Sequence, residues 1–388
     1  MNNGFLDVRA RGALWAAAAL GAAAFLYGVG AAPARTWGAV LIAAAFVVGL
    51  AAGALSLLAM LHAAAAGWHS VLRRVPEAMA GTLPVGAGLI ALVVAGAHHI
   101  YHWSHEEAVL HDAVLQAKAP WLNMTGFALR SAAYLAVWYG GYALLRRLSR
   151  RQDEGSAADP VQAARSARGV SAVFLALFGV TFSFASVDWL MSVEPHWFST
   201  MFPWYQFAGA LLSALAAACI LVVALRRRGV LPDVGPSHLH DLGKLTFAMS
   251  SFWAYLWFCQ YLLIWYSNIP EETAFFAART GAWGVLMVAS LLLNFVVPFV
   301  GLLPAAAKRS EARLLGAAAV LLAGRAVDLC VTVMPGVARH AHGVGGGEPL
   351  VLLGALALFV LAFDLVFRSA PAIARRDPYL EESLHSHG

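Results

Sequence analysis

Two stretches of this sequence share a pattern, Asp188-Trp-Leu-Met-Ser-Val-Glu-Pro195 and Asp328-Leu-Cys-Val-Thr-Val-Met-Pro335. Each follows a long apolar run, and each places a hydroxyl at the fourth residue after the aspartate and a proline at the seventh. In an apolar membrane segment an ionisable side chain costs about 2.5–3.5 kcal/mol and is usually kept where it binds, pairs or moves a proton. The two aspartates are therefore the first candidates for functional residues.

The composition indicates an integral membrane protein. Of the 388 residues, 61% are hydrophobic and 12% are charged, whereas soluble domains carry about 25% charged residues. A helix of about 20 apolar residues spans a bilayer, and ten segments of this kind predict an all-α protein with ten transmembrane helices. The predicted spans are residues 12–32, 38–66, 83–103, 124–146, 168–190, 203–225, 244–266, 279–303, 313–335 and 348–368.

The distribution of Lys and Arg predicts the orientation. Most of these residues fall in alternate loops, and the remaining loops contain only Arg35, Lys118, Arg279 and Arg339. Positively charged loops stay in the cytoplasm, so we expect a multi-pass protein of the bacterial inner membrane with both termini cytoplasmic. The net charge of +5 is then a topology signal, and no nucleic-acid partner is expected.

The aspartate patterns close the fifth and ninth spans, which indicates a repeat of four helices. The third and seventh spans agree, because each ends in aromatic residues and a serine followed by paired glutamates. We expect two four-helix bundles, residues 38–190 and 191–335, flanked by a first helix with its exterior loop (1–37) and a last helix with its cytoplasmic tail (336–388). Parallel repeats of this kind occur in transporters. The alternative is chance, since aromatic residues are common at membrane boundaries.

Arg325 and Asp328 lie three residues apart on the ninth span and share a helix face. The pattern predicts an ion pair, which serves either as a structural salt bridge or as part of a proton relay. Asp188 ends the fifth span after an apolar approach, which favours a functional role. Gln260 adds an uncharged polar group to the seventh span; such a group commonly joins helices or can line a proton path.

Other candidates lie near the ends of spans. We expect Glu194 and His196 in an interfacial turn, and Glu271 and Glu272 at the exterior exit of the seventh span; all four are candidates for proton transfer. The residues from 149 to 167 are polar and are expected to form a cytoplasmic linker.

Several histidines lie near the exterior end of the third span. His98 and His102 follow helical i, i+4 spacing there, which indicates either an aromatic and His-rich membrane boundary or hydrogen-bond donors to a quinone, and we take them as candidates for contact with quinone. No carboxylate or cysteine completes a metal-ligand set with them on the helix, so no metal site is expected. His62 and Asp364 are candidates for an inner half-channel.

The three cysteines show no spacing for haem attachment or an iron–sulfur cluster. We therefore expect no covalently bound cofactor in this chain. Any electron carriers would belong to partner subunits.

Three longer strings, Tyr101–Lys118, Ser186–Thr200 and Gln260–Thr273, together with Trp121, Asn123 and Arg130, resemble the F subunits (ActF) of alternative complex III, a quinol:cytochrome c oxidoreductase. The resemblance implies the fold of the NrfD-like, or polysulfide-reductase-like, membrane subunits: two four-helix bundles with flanking helices. The resemblance also implies that five residues within these strings are site residues. They are Asp188, Glu194, His196, Glu271 and Glu272.

The resemblance also implies partners. Complexes of this family oxidise menaquinol or ubiquinol and pass electrons through haem c and iron–sulfur subunits to cytochrome c or a terminal oxidase. This chain would be a respiratory-chain subunit beside a homologous quinol-binding membrane subunit, supporting proton transfer and electron transport without catalysis of its own. Two alternatives remain: a secondary transporter with parallel helical repeats, and a structural anchor for exterior redox subunits.

Overall fold

The computed structural model describes residues 5–155, 159–338 and 343–385, and within these ranges the secondary structure is helical, without strands. Arg339 lies outside the described residues. The α-helices are α1 Val8–Ala31, α2 Pro33–Ala63, α3 Arg74–Ala80, α4 Leu83–Ala95, α5 Ala97–Ile100, α6 Glu106–Leu110, α7 Ala113–Lys118, α8 Met124–Asp153, α9 Pro160–Trp189, α10 Phe202–Arg227, α11 Pro236–Ser267, α12 Pro270–Ala277, α13 Ala282–Leu291, α14 Val297–Leu302, α15 Ala305–Arg309, α16 Glu311–Val337, α17 Gly347–Phe367 and α18 Leu380–Leu384.

Nine helical segments in the described ranges are long and apolar enough to cross a membrane. They coincide with nine of the ten predicted spans, and this agreement confirms the all-α, multi-pass membrane character. The predicted fourth span coincides with α8, which is 30 residues long but carries several arginines and is not among the nine. The count of ten therefore stays a prediction.

Helices α2 and α10 form the centre of the protein. Both are buried along nearly their whole length, and they pack directly against each other. A Cβ atom on Gly53 would lie 2.6 Å from the carbonyl oxygen of Ala210, so only glycine permits this approach. Small residues at helix contacts bring backbones close together in membrane proteins.

The other long helices surround this pair. On one side, α4, α8 and α9 complete a ring with α2, and on the other side α11, α13–α14 and α16 complete a ring with α10. Helix α1 packs along α17, which itself packs against α2.

The helix ends define two faces. The terminal face contains the start of α1 and the ends of α2, α8, α10 and α17, and the chain from α17 to α18 folds back over it. Ser383 Oγ bonds to the carbonyl of Trp68, and His238 contacts the carbonyl of Ser383. The opposite face contains the ends of α9, α11 and α16, together with the short helices α6, α7 and α12.

Two sequence predictions about helix bounds are wrong. The stretch from 149 to 167 is mostly helical where the structure describes it: α8 continues to Asp153, and α9 begins at Pro160 with the side chain of Asp159 accepting from the N–H of Val161. Proline at the first helical position after an aspartate N-cap is a strong helix start. The third span is also discontinuous, because α4 ends before Gly96 and the chain is extended at Tyr101.

Pro298 and Pro335 lie inside spanning segments, and each leaves one backbone carbonyl without its helical N–H partner. Side chains of other residues donate hydrogen bonds to these carbonyls instead. Pro298 has no N–H, so the carbonyl of Asn294, four residues earlier, loses its usual helical partner. Ser250 Oγ donates to that carbonyl at 2.6 Å. A polar side chain on a neighbouring helix thus satisfies the backbone group, as a membrane interior requires.

Candidate functional site

The Asp188 carboxylate is fully buried and accepts hydrogen bonds from three side chains. Arg130 donates to both oxygens, at 2.8 Å from Nε and 3.1 Å from Nη2. Trp121 Nε1 and the Tyr134 hydroxyl each donate at 2.8 Å. We call these four residues the Asp188 site. Its charge is balanced by one guanidinium and its lone pairs are used by N–H and O–H donors, as a buried carboxylate requires.

The local sequence explains how the donors reach Asp188. Arg130 and Tyr134 lie one turn apart on α8, so both side chains point to the same neighbour, α9. Asn123 caps the start of α8 by accepting from the N–H of Gly126 at 2.7 Å. This cap holds the preceding Trp121 beside the helix, where its ring packs 4.1 Å under the Arg130 guanidinium.

Asp328 forms the second buried carboxylate site. Arg325 Nη1 lies 2.6 Å from Asp328 Oδ2, and both residues are 3% exposed. The predicted ion pair is therefore present. Tyr205 donates its hydroxyl to Oδ1, and Arg325 Nη2 donates to Gln206 Oε1 at 2.9 Å. These four residues form the Asp328 site, with Ser290 Oγ 3.4 Å from Oδ1.

The repeated hydroxyl has the same contact in both sites. Ser192 Oγ donates to the backbone carbonyl of Asp188 at 2.5 Å, and Thr332 Oγ1 donates to that of Asp328 at 2.8 Å. A hydroxyl four residues after a helical residue can satisfy its carbonyl in this way. The shared spacing thus has a local structural role beside each acid.

Arg279 connects the segments that contain the two aspartates. Its fully buried guanidinium pairs with Glu194 at 2.6 Å and donates to the carbonyls of Val331 and Thr332, both at 2.9 Å. Pro335 frees the Val331 carbonyl, because proline removes the N–H that would bond to it. Burial lowers the pKa of Arg279, while the Glu194 carboxylate acts in the opposite direction.

A small cavity of about 30 Å³, enough for roughly two water molecules, lies between these groups. Asp328, Arg279, Tyr205 and Gln260 belong to its lining. Gln260 is 6% exposed, and its Oε1 has no hydrogen-bond partner in the part of the chain that the structure describes. The cavity therefore brings together a carboxylate, a phenol, an amide and a guanidinium. Such a set can bind water and exchange protons with it.

The other predicted acids lie on the opposite face. Glu194 is not a freely solvated acid, because it pairs with Arg279. His196 is half-exposed and lies 2.6 Å from Asp112 Oδ2. Partial desolvation raises the pKa of Asp112, but the hydrogen bond from His196 and two backbone N–H groups outweigh it and lower the pKa. Glu271 and Glu272 occupy the first turn of α12, where the helix dipole favours negative charge.

His98 and His102 do not share a helix, contrary to their sequence spacing. His98 lies on the short helix α5, whereas His102 begins a 3₁₀ turn after the extended Tyr101. Both are exposed and line an open groove with Arg35 and His105. Nowhere in the described ranges do three or more His, Cys, Asp or Glu side chains form a group that could hold a metal ion.

His62 and Asp364 lie at the terminal face in different surroundings. His62, at the end of α2, packs edge to face with His69 at 5.7 Å. Asp364 accepts from the N–H groups of Phe5 and Leu6 and pairs with Arg11 and Arg368. Asp364 therefore holds the N-terminal segment against the end of α17; an inner half-channel role stays a prediction.

A charged cluster at the terminal face was missed from the sequence. Glu77 pairs with Arg74 at 2.6 Å and with Arg146 at 2.9 Å, and Arg74 also pairs with Asp153. Arg73 pairs with Asp377 at 2.5 Å. The arginines look like ordinary cytoplasmic loop charges in the sequence, but the acid three residues after Arg74 was a signal of helical pairing.

The partners of the two aspartates were also missed, apart from Arg325. Tyr134 and Tyr205 lie far from them in sequence, and Arg130 is separated from Asp188 by most of α8 and α9. The available signal was the presence of polar side chains in otherwise apolar helices.

Comparison with protein-family models and with curated proteins gives no match for this chain.

Proposed function

We propose that this chain is a membrane subunit of a respiratory quinol:cytochrome c oxidoreductase of the alternative complex III type, in which the Asp188 and Asp328 sites take part in proton transfer. The observation that carries the proposal is the pair of buried carboxylates, each held by an arginine and a tyrosine at the same end of its helix. Buried ionisable groups in membrane helices are costly and are commonly found on proton or substrate paths.

The Asp328 site is suited to hold and release a proton. Burial disfavours the charged carboxylate, whereas Arg325 favours it, so small changes in this balance alter protonation. Tyr205 contacts Asp328 directly, and the cavity beside them provides space for water next to Gln260 and Arg279. A proton can therefore move between the carboxylate and the cavity without crossing apolar packing.

The proposed fold has ten transmembrane helices in two four-helix bundles. The two rings of helices around α2 and α10 support this division, as do the matching Asp188 and Asp328 segments. The direct packing of α2 on α10 favours a rigid pair of bundles over the rocking motion of a transporter.

The proposed orientation places the terminal face in the cytoplasm of a bacterium, since that face contains most of the arginines. The opposite face would then meet the haem c and iron–sulfur subunits, and lipid would surround the remaining surface. In the groove on this face, exposed imidazoles of His98 and His102 can donate to a menaquinone or ubiquinone carbonyl. The homologous membrane subunit would carry out quinol oxidation.

The first experiment is to purify the native complex through a tag on this chain in mild detergent. We expect haem c and iron–sulfur subunits to co-purify with quinol:cytochrome c activity. A lone, colourless protein, under conditions that keep other membrane complexes intact, would contradict the proposal and favour a transporter.

The second experiment tests proton transfer in the assembled complex. Asp328→Asn should lower turnover and proton release in vesicles, because the amide cannot carry the proton. Asp241→Asn makes the same change on an acid that pairs with a half-exposed lysine on α11, and it should leave both rates unchanged. Unchanged turnover and proton release in Asp328→Asn would instead support a structural anchor.

A further inference from the structure

An apolar pocket opens on the opposite face, between the turn that joins α7 to α8 and the end of α9. Its volume is about 360 Å³, within the range of about 300–1,000 Å³ that is typical of ligand pockets. Lys118 is the one charged member of its lining among the described residues. The apolar side chains of the lining are those of Trp121, Leu122, Val187, Met191, Trp197 and Phe198.

The pocket is accessible from outside the protein. Phe198 is 56% exposed and Trp121 is 39% exposed, and both belong to the lining. The ring of Trp121 also contacts that of Phe184, one turn before Val187 on α9, at 5.4 Å. Phe184 is 43% exposed on a segment that is long and apolar enough to cross a membrane. The apolar surface of the pocket therefore continues onto the membrane-facing side of α9.

Lys118 places its ammonium group at this pocket. Its Nζ atom donates to the backbone carbonyl of Pro195 at 2.5 Å, and both residues belong to the lining. A lysine ammonium has three N–H donors, so two remain after this bond. Lysine commonly packs its methylene stem along apolar surface and keeps its charged end at the polar edge. The pocket therefore combines apolar walls with a cation that has donors to spare.

Lys118 differs from other cations that the sequence predicts for this side of the membrane. Arg35 pairs with Glu348 at 2.5 Å, and Arg279 pairs with Glu194 at 2.6 Å. Within the described residues Lys118 forms no ion pair, and burial lowers its pKa without an opposing carboxylate. Removing a cation from water without a counter-charge is unfavourable. The charge at this pocket therefore favours an anionic ligand.

The volume of the pocket fits one hydrocarbon chain. A water molecule occupies about 30 Å³ in the liquid and a methylene group is of similar size, so the pocket holds roughly twelve chain carbons. We propose that it binds one acyl chain of an anionic phospholipid, whose phosphate accepts a hydrogen bond from Lys118. A basic residue beside an apolar space between membrane helices is an arrangement that recognises lipid head groups. The second chain stays in the bilayer beside Phe184.

The test is binding of dioleoylphosphatidylglycerol to the delipidated full-length protein, with the dissociation constant measured by native mass spectrometry in one detergent throughout. Dioleoylglycerol, which has the same chains but no phosphate, is the matched lipid. We expect one phosphatidylglycerol to bind at least about tenfold more tightly than dioleoylglycerol, the difference expected for a hydrogen bond between charged groups. Equal affinity for the two lipids would overturn the proposal.

Lys118→Gln removes the positive charge and keeps an N–H group that can donate to the Pro195 carbonyl. It should weaken phosphatidylglycerol binding about tenfold and leave dioleoylglycerol binding unchanged. Lys244→Gln is the matched control, because it makes the same change where the ammonium already pairs with Asp241. This control should bind both lipids as the wild type does.

Val187→Phe fills part of the pocket from α9 and should weaken phosphatidylglycerol binding several-fold, because the acyl chain loses space. Val173→Phe makes the same change on the exposed surface of the same helix and should leave the affinity unchanged. Thermal unfolding checks that each variant is folded. Unchanged phosphatidylglycerol affinity in either Lys118→Gln or Val187→Phe would also overturn the proposal. The inference does not depend on the respiratory function proposed above.

Discussion

Neutralising both members of the Arg325–Asp328 pair should destabilise the protein by much less than the sum of the two single neutralisations. The two side chains are 2.6 Å apart, and each is 4% exposed. Asp328→Asn leaves a buried guanidinium whose remaining acceptor is Gln206 Oε1. Breaking a buried ion pair from one side typically costs about 3–5 kcal/mol, because the other charge stays uncompensated.

The double variant Arg325→Gln/Asp328→Asn removes both charges. Its cost should be smaller than the sum of the two single costs, and we expect a coupling free energy of at least about 2 kcal/mol, toward the upper part of the range measured for contacting pairs. The measurement is the free energy of unfolding in mixed micelles, from a denaturing-detergent titration of all four proteins.

The chain offers a matched control in Asp241 and Lys244, another pair with i, i+3 spacing on a helix. Their ion pair is also 2.6 Å long, but the lysine side chain is 54% exposed. Exposed pairs contribute about 0–1 kcal/mol, so the same cycle on this pair should give little coupling. Additive costs in the Arg325–Asp328 cycle, within about 0.5 kcal/mol, would refute the reasoning that the two charges compensate each other.

Three further predictions concern other groups. Asp188→Asn leaves the Arg130 guanidinium without its carboxylate and should lower the free energy of unfolding by about 3 kcal/mol in the same titration. Thr332→Val removes the bond to the Asp328 carbonyl and should cost about 1 kcal/mol; no loss would contradict the bond. The folded pKa of His69, about 4, lies below its usual 6.5, so the folded state binds fewer protons than the unfolded state in this window. Stability should therefore fall by roughly 3 kcal/mol as the pH drops from 6.5 to 4, and the drop should be lost in His69→Gln.

Much of the fold could be predicted from the sequence because hydrophobic length alone identifies membrane helices. Helix ends were less predictable. The polar residues after Ser149 resemble a linker, but arginine and glutamine are good helix formers, so α8 continues to Asp153. Gly96 interrupts the third span at a place that apolar composition does not mark.

The site was only partly predictable, for a different reason. Arg325 and Asp328 pair within one helix, where spacing decides contact. Tyr205 reaches Asp328 from another helix, and Arg279 reaches the freed carbonyl of Val331 from a loop. Contacts of this kind depend on how helices pack, which a single sequence does not specify.

The two aspartate sites share some features and differ in others. Asp188 and Asp328 occupy matching positions, and each has a hydroxyl that bonds to its carbonyl. Their arginines do not match, because Arg130 comes from the neighbouring helix α8 and Arg325 from the same helix as its acid. A buried carboxylate needs a nearby cation, but electrostatic compensation depends on distance and not on the chain position that supplies it. The position of each carboxylate is therefore more restricted than the position of the arginine that compensates it. Matching acids with non-matching arginines are expected if the acids themselves exchange protons.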